Sequence, residues 1–282
     1  MPSLPPFILS GPAQPLRAVI VSIPHAGRYY LPALLGAARV TGAVLQRLED
    51  RYVDLLAKGL GSQGYRVITA TYARAWIDMN RAEDEWDSSL IVGGTPAHPV
   101  SSRVHGGLGI IPRRLSGPGE LWRHRFDHAD LAVRIEQVHR PYHAAIAGAL
   151  DEAIANHGQA VLIDLHSMPG QPGGVPQLVL GDRHGLTASS QLVDRLMAVG
   201  EGMGLSVARN APYAGAHTIQ WHASRTRRIE AVQVEIDRSL YLDAAMEPAS
   251  DGVRAMTLLV ERIASASDDY VQSLADYAQA AE

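Results

Sequence analysis

The sequence predicts an α/β fold: one domain built on a mixed, mostly parallel sheet flanked by helices. Three observations carry that reading. Short β-branched apolar runs, Ala18-Val19-Ile20-Val21-Ser22-Ile23 and Ala160-Val161-Leu162-Ile163, stop at Pro, Gly or polar residues and read as strands buried on both faces. Between such runs lie segments with apolar residues at three-to-four spacing, the pattern of helices that cross from strand to strand. The chain shows no internal repeat and no linker.

The elements follow in order. Residues 1–16, rich in proline, are expected to be irregular, and the first strand ends at Ile23 before Pro24-His25-Ala26-Gly27. Leu45, Leu48, Tyr52, Leu55, Leu56 and Leu60 predict a helix over about 43 to 61, closed by Gly61 and Gly64, with a strand at Arg66–Ala70. From Ala82 to Gly119 glycine and proline abound without a sustained period, which marks a functional loop region. A helical region is expected from about Glu120, broken at Pro141 and resuming to about Asn156. A strand at 160–164 leads into a Gly/Pro-rich loop, and Gln177–Leu180 reads as another strand. Leu192, Leu196, Val199 and Met203 mark a helix, residues 205–208 and 231–236 two further strands, and a terminal helix starts near Ala244.

Composition narrows the function. The 282 residues are 46% hydrophobic and 19% charged, a globular balance, and the formal charge of −4 gives no reason to expect nucleic acid or an anionic membrane as partner. No apolar run approaches the ~20 residues of a membrane span, and no basic segment leads into an apolar one at the N-terminus, so no signal peptide is expected. The absence of cysteine excludes disulfides, a catalytic thiol and thiolate metal sites. Any metal must then be held by histidine and carboxylate. The cytoplasm is the expected location.

His25 and His166 each follow an apolar run, at the carboxyl end of a strand where open α/β sheets bind ligands. Imidazole is the commonest metal ligand, and the pairing points to a metal site. Hydrolytic metal sites usually offer three protein ligands and an open position; Glu49 and Asp50 are both candidates for the third, although a charged pair on a helix more often faces solvent. Asp164 precedes His166 by two residues, on the same side if the strand persists, where it can orient the imidazole. Glu235 lies in the alternating run Val232–Arg238 and reads either as the solvent side of an edge strand or as a general base. Arg74 and Arg81 sit in a loop where planar guanidinium groups can bind a substrate carboxylate, the plainer reading being surface arginines. His124/His128 and His139/His143 have helical spacing, but the basic neighbours Arg123, Arg125 and Arg140 disfavour a cation, so they read as surface or hydrogen-bonding residues. Ser167 lacks the flanking glycines of a serine hydrolase elbow. Met168 stands where a dinuclear Asp-x-His-x-Asp motif needs its last carboxylate.

In order along the chain come Ser22–Gly27, Asp50–Asp54, Arg74 with Asp78–Arg81, Gly107–Pro112, Arg140–His143, Asp164–Ser167, Asn210–Gly215, and Gln233–Ile236 before Leu240-Tyr241. This ordered set resembles the N-formylglutamate amidohydrolase family over roughly residues 20 to 243. The Asp-Leu-His segment and the Asn-Arg pair are also similar to the zinc carboxypeptidase and aspartoacylase superfamily. The resemblance implies a phosphorylase/hydrolase-like (zinc exopeptidase-like) fold and a metal-dependent amidohydrolase acting on a small N-acylated acidic amino acid, N-formylglutamate being the lead substrate. Carried over by position, His25, Asp50 and His166 would hold the metal, Zn2+ first with Co2+, Mn2+ or Fe2+ as alternatives. Glu235 would be the base, and Arg81, with Asn80 and Arg74, would hold the substrate carboxylate. The alternatives are a related deacylase or carboxypeptidase-like hydrolase and a non-catalytic protein that binds acidic ligands. The chain departs from the family pattern at Arg51, where an aromatic residue is expected, and at Ala216-His217, where a second glycine is usual.

Overall fold

The computed structural model describes residues 4–96, 101–170, 173 and 176–280. Parts of the predicted Ala82–Gly119 region and of the Gly/Pro-rich loop after residue 168 therefore lie outside the described residues. Packing divides the chain into two compact units. One is built from residues up to Ile8, Pro24–Glu49 and Thr69–Ala144; the other from Leu9–Ile23, Asp50–Ile68 and Ala145 onward. The chain passes repeatedly from one unit to the other, which is why no linker is visible in the sequence.

A seven-stranded sheet lies mainly in the second unit. Its strands are β1 (Phe7–Ser10), β2 (Val19–Ile23), β3 (Arg66–Ala70), β4 (Ala160–Met168), β5 (Leu178–Gly181), β6 (Val207–Arg209) and β7 (Ile229–Asp237), in the order β1-β3-β2-β4-β7-β5-β6. β2 and β7 both run parallel to β4, β6 runs parallel to β5, and β5 is antiparallel to β7, so the sheet is mixed and mostly parallel as expected. β2 and β4 are buried at every residue, consistent with their unbroken apolar start. Helices Ser190–Gly202 and Ser250–Ala280 belong to this unit, and the second packs against the first and against β4. Among the described residues no helix is long and apolar enough to cross a membrane.

Several elements differ from the sequence reading. β1 forms within the stretch expected to be irregular; its Ile8 and Leu9 are 59% and 47% exposed, so backbone pairing rather than apolar burial makes this strand. The helix expected over 43 to 61 is instead a series of short turns, Gly42–Leu45, Gln46–Leu48, Val53–Leu56 and Leu60–Gln63. Glu49 is extended and Tyr52 adopts a left-handed φ of 60°, which break the helix. The apolar spacing survives because each short turn buries its own leucine. Glu49 and Asp50 are consequently buried, not on a solvated helix face.

In the first unit the helical region begins at His128, not near Glu120, and Pro141 does not break it. A π-helical turn over Ile135–His139 joins His128–Arg134 to Arg140–His157, which places Pro141 just beyond the irregular turn where its missing N–H is tolerated. β4 continues to Met168, four residues past its expected end, so His166 lies within the strand. β7 is an interior strand between β4 and β5, which overturns the edge-strand reading of Glu235.

Candidate functional site

The second unit gathers polar side chains on one face of three adjacent strands. Ser22 of β2 pairs with Asp164 of β4, while Gln233 and Glu235 of β7 pair with Asp164 and His166. Residues in register across parallel strands project from the same face, so these five line one patch. All five are buried. Polar groups removed from water need partners, and here they bond one another. Ser22 Oγ donates to Asp164 Oδ1 at 2.8 Å, and Asp164 Oδ2 lies 2.9 Å from His166 Nε2. His166 Nδ1 lies 2.8 Å from Asp50 Oδ2, and Asp50 Oδ1 is 3.5 Å from Arg238 Nη2.

His166 thus sits between two carboxylates. Burial works to lower its pKa, but Asp164, Asp50 and Glu235 outweigh that and hold it well above the ordinary imidazole range. So much negative charge around one buried ring fits the requirements of a bound cation. Gln233 Nε2 donates to Glu235 Oε1 at 2.7 Å, and Gln233 Oε1 accepts from the Ala216 N–H at 3.0 Å. The second bond decides which way the Gln233 amide points. Gly215, just before Ala216, has φ +99°, and a Cβ there would fall 2.3 Å from Ile219 Cδ1. The Asn210–Gly215 motif is therefore a support for Ala216 and, through Gln233, for Glu235. Arg51, one of the two departures from the family pattern, donates to Met246 O at 3.0 Å and to Glu247 Oε1 at 2.6 Å, anchoring the loop after Tyr241.

The first unit holds a second carboxylate–imidazole pair. His25 Nε2 lies 2.7 Å from Asp78 Oδ1, both residues being buried. Asp78 also accepts from Arg74 Nε at 2.7 Å and from the Asn80 N–H at 2.9 Å. Burial works to raise the Asp78 pKa; Arg74, His25 and Arg81 overcome it and hold the carboxyl well below the usual range. Arg81 is buried and donates from Nε to Leu108 O at 2.8 Å and from Nη1 to Asn80 O at 2.6 Å. Glu83 accepts from Arg140 Nε and Nη2, each at 2.9 Å. Glu49 accepts from the Tyr30 hydroxyl.

Of the two readings given to His139 and His143, surface or hydrogen-bonding, the second holds: both are buried and hydrogen-bonded. His139 Nε2 lies 2.8 Å from Arg81 O, and His143 Nε2 lies 2.9 Å from Met79 O. One helical turn thereby grips the Asp78–Arg81 loop through its backbone. The sequence reading missed this role and those of Asp78 and Gln233. Asp78 stood in plain view in the Asp78-Met79-Asn80-Arg81 motif, but nothing local distinguishes a histidine partner from a surface ion pair. A cavity of about 530 Å³ opens at the amino ends of β4 and β7, between Ala160, Thr187, Ile229 and Tyr270; none of the candidate site residues lines it. The chemistry-bearing groups belong to the carboxyl half of those strands.

The model of the N-formylglutamate amidohydrolase family matches residues 17–242. An N-formylglutamate deformylase of Pseudomonas putida is 28% identical over 232 residues, covering 80% of this chain and 82% of that protein. The crystal structure of an N-formylglutamate amidohydrolase from Ralstonia eutropha is 30% identical with a TM-score of 0.86, covering 96% of this chain and 99% of that one. A protein of Agrobacterium tumefaciens, 18% identical with a TM-score of 0.70 over 93% of each chain, shares the fold.

Proposed function

Because the chain belongs to the N-formylglutamate amidohydrolase family, we propose that it is a metal-dependent amidohydrolase. Its substrate is an N-acylated acidic amino acid, with N-formylglutamate first. His25, Asp50 and His166 would hold one divalent ion, each offering one ligand atom: two imidazole nitrogens and a carboxylate oxygen. That donor set, with no thiolate, suits zinc, and cobalt, manganese or iron(II) could replace it. Each imidazole has a carboxylate at Nε2, Asp78 for His25 and Asp164 for His166. This is the arrangement that fixes a ligating histidine's tautomer and leaves ligation to Nδ1. His166 Nδ1 is the nitrogen that meets Asp50, whereas Glu49 is engaged by Tyr30, which favours Asp50 as the third ligand. His25 follows β2 just beyond Ser22, which is paired with Asp164.

An ion so held supplies Lewis-acid polarisation of the acyl carbonyl and lowers the pKa of a water molecule. Glu235 takes the proton of the attacking water as its oxygen bonds to the formyl carbon. It returns that proton to the amide nitrogen as the C–N bond breaks, and formate and glutamate leave. Gln233 keeps the Glu235 carboxylate facing one way throughout. Arg74, Asn80 and Arg81 hold the substrate carboxylates, Arg74 being the more exposed of the two arginines. The cytoplasm is the proposed location.

The observation that carries this reading is the placement of Glu235 beside His166, in register on neighbouring buried strands. The test is to incubate metal-loaded protein with a panel of N-acyl amino acids and measure the acid released. Formate from N-formylglutamate, faster than acid from neutral analogues, is the expected result. Turnover of no member would leave a protein that binds acidic ligands without catalysis.

A further inference from the structure

The first unit carries a cavity of about 230 Å³ lined by Arg39, Arg113, Arg123, Arg125, Glu120 and Trp122, among others. The backbone brings the arginines together. The Arg39 N–H donates to Leu121 O at 2.8 Å and the Arg123 N–H to Ala37 O at 3.0 Å, so residues 37–39 and 121–123 lie side by side. Trp122 Nε1 donates to Pro112 O at 2.7 Å and its ring meets Phe126 edge-on with centroids 5.3 Å apart, which gives the cavity a fixed aromatic wall.

Charge is not balanced here. Arg113 is met by Asp87 at 2.6 Å and by Glu120. Arg123 donates from Nε to Ala38 O at 2.8 Å, and Arg125 donates to Ser88 O and Ile91 O. Those carbonyl partners fix the side chains without neutralising them. Among the described residues no carboxylate lies within ion-pair distance of Arg39, Arg123 or Arg125. Arg39, Arg123 and Arg125 line one small hollow with no carboxylate partner of their own, so their like charges together favour a multiply charged anion there. Planar guanidinium forks match the oxygens of phosphate and carboxylate in pairs. The cavity is smaller than the ~300–1,000 Å³ of drug-sized pockets, so it fits a compact ion. It arises in a chain whose formal charge is −4, so general basicity does not account for it.

We propose that this cavity is a binding site for a small, multiply charged oxyanion, either inorganic phosphate or a short dicarboxylate. It uses none of the residues assigned to hydrolysis, so it stands or falls separately from that reading. Thermal unfolding of the intact protein is followed in increasing phosphate, succinate and chloride at matched ionic strength. A saturable rise in Tm with phosphate or succinate, absent in chloride, is expected; which of the two ions acts identifies the oxyanion. Arg39→Gln is the deciding variant, because the Arg39 side chain makes no hydrogen bond among the described residues and its loss should leave folding intact. It should weaken the apparent affinity by about tenfold, as expected for one charge-assisted contact, and Arg123→Gln with Arg125→Gln should abolish the rise. An unchanged titration in Arg39→Gln would assign anion binding to some other site. A rise identical in all three salts would show ionic screening alone. Either result overturns the proposal.

Discussion

Glu235 and His166 are in-register partners on the parallel strands β7 and β4, and Gln233 holds Glu235 Oε1 at 2.7 Å on the same buried face. Strands in a sheet lie about 5 Å apart, which puts the carboxylate proposed as base beside the imidazole proposed as metal ligand without any loop to position it. Glu235→Gln keeps the shape and the register and removes the basicity. Its kcat should fall by about 10²–10⁴-fold, while metal content and Tm stay near those of the parent. Steady-state kinetics with elemental analysis checks this, and a variant at full turnover would remove Glu235 from the base role.

The ligand assignment makes a contrast between neighbours. Asp50 lies 2.8 Å from His166, whereas Glu49 accepts from the Tyr30 hydroxyl. Asp50→Ala, His25→Ala and His166→Ala should each lose most bound metal after dialysis against a weak chelator. Glu49→Ala should retain it, although burial of Glu49 makes some loss of stability expected. If Glu49→Ala lost the metal and Asp50→Ala kept it, the third ligand would be Glu49.

His139 and His143 act on the Asp78–Arg81 loop from one face of their helix, each through Nε2 to a backbone carbonyl. Burial lowers the His139 pKa, so near neutral pH the ring is an uncharged donor to Arg81 O. His139→Gln presents an amide N–H to the same carbonyl, and His139→Leu fills space without a donor. The leucine variant should lose about tenfold in kcat/KM, in proportion to one buried hydrogen bond, and the glutamine variant should recover most of that loss. Equal kinetics in both variants at equal Tm would make the pair a packing feature only.

How much of this was legible in the sequence depends on where the information lies. The strands that lead to His25 and His166 could be read because buried parallel strands start on unbroken apolar runs, but the carboxyl end of β4 could not, since Asp164, His166 and Ser167 look like a stop. The interior position of β7 could not, since alternation in Val232–Asp237 looks the same whether the polar face meets water or a neighbouring strand's Asp164 and His166. The helix expected over 43 to 61 failed for a related reason. Its leucines keep helical spacing, but the chain turns left-handed at Tyr52, and the buried Asp50 meets His166, a partner distant in sequence. His139 and His143 showed their spacing but not their acceptors, because backbone carbonyls carry no sequence signature.

Arg74 and Arg81 are separable by their surroundings. Arg81 is buried with two donors on the carbonyls of Leu108 and Asn80, while Arg74 is partly exposed and donates to Asp78. A lysine at position 81 cannot reproduce two divergent N–H bonds, so Arg81→Lys should lower Tm and raise KM together. Arg74→Lys keeps a cation next to Asp78 and should raise KM for acidic substrates by about tenfold, by the loss of a bidentate contact. Its effect on Tm should be the smaller of the two. Unchanged KM for every acidic substrate in both variants would place the substrate carboxylate elsewhere.

His222 makes the acid limb of the stability profile specific. It is buried at the end of helix His217–His222, and burial, only partly opposed by Asp164, pushes its pKa down to about 4 from 6.5. An unfolded chain therefore takes up the His222 proton first as pH falls. The contribution is fully present above about pH 6.5, is lost progressively down to about pH 4, and levels off below that. A shift of that size corresponds to about 3 kcal/mol of unfolding free energy. His222→Asn removes the titrating group, so the difference between parent and variant isolates it from the carboxylates that also titrate in this range. Denaturant unfolding at pH 7, 5.5 and 4.5 should show the parent losing stability faster than the variant at each step. Parallel curves would mean that His222 ionises with equal ease in the folded and unfolded chains, despite its burial.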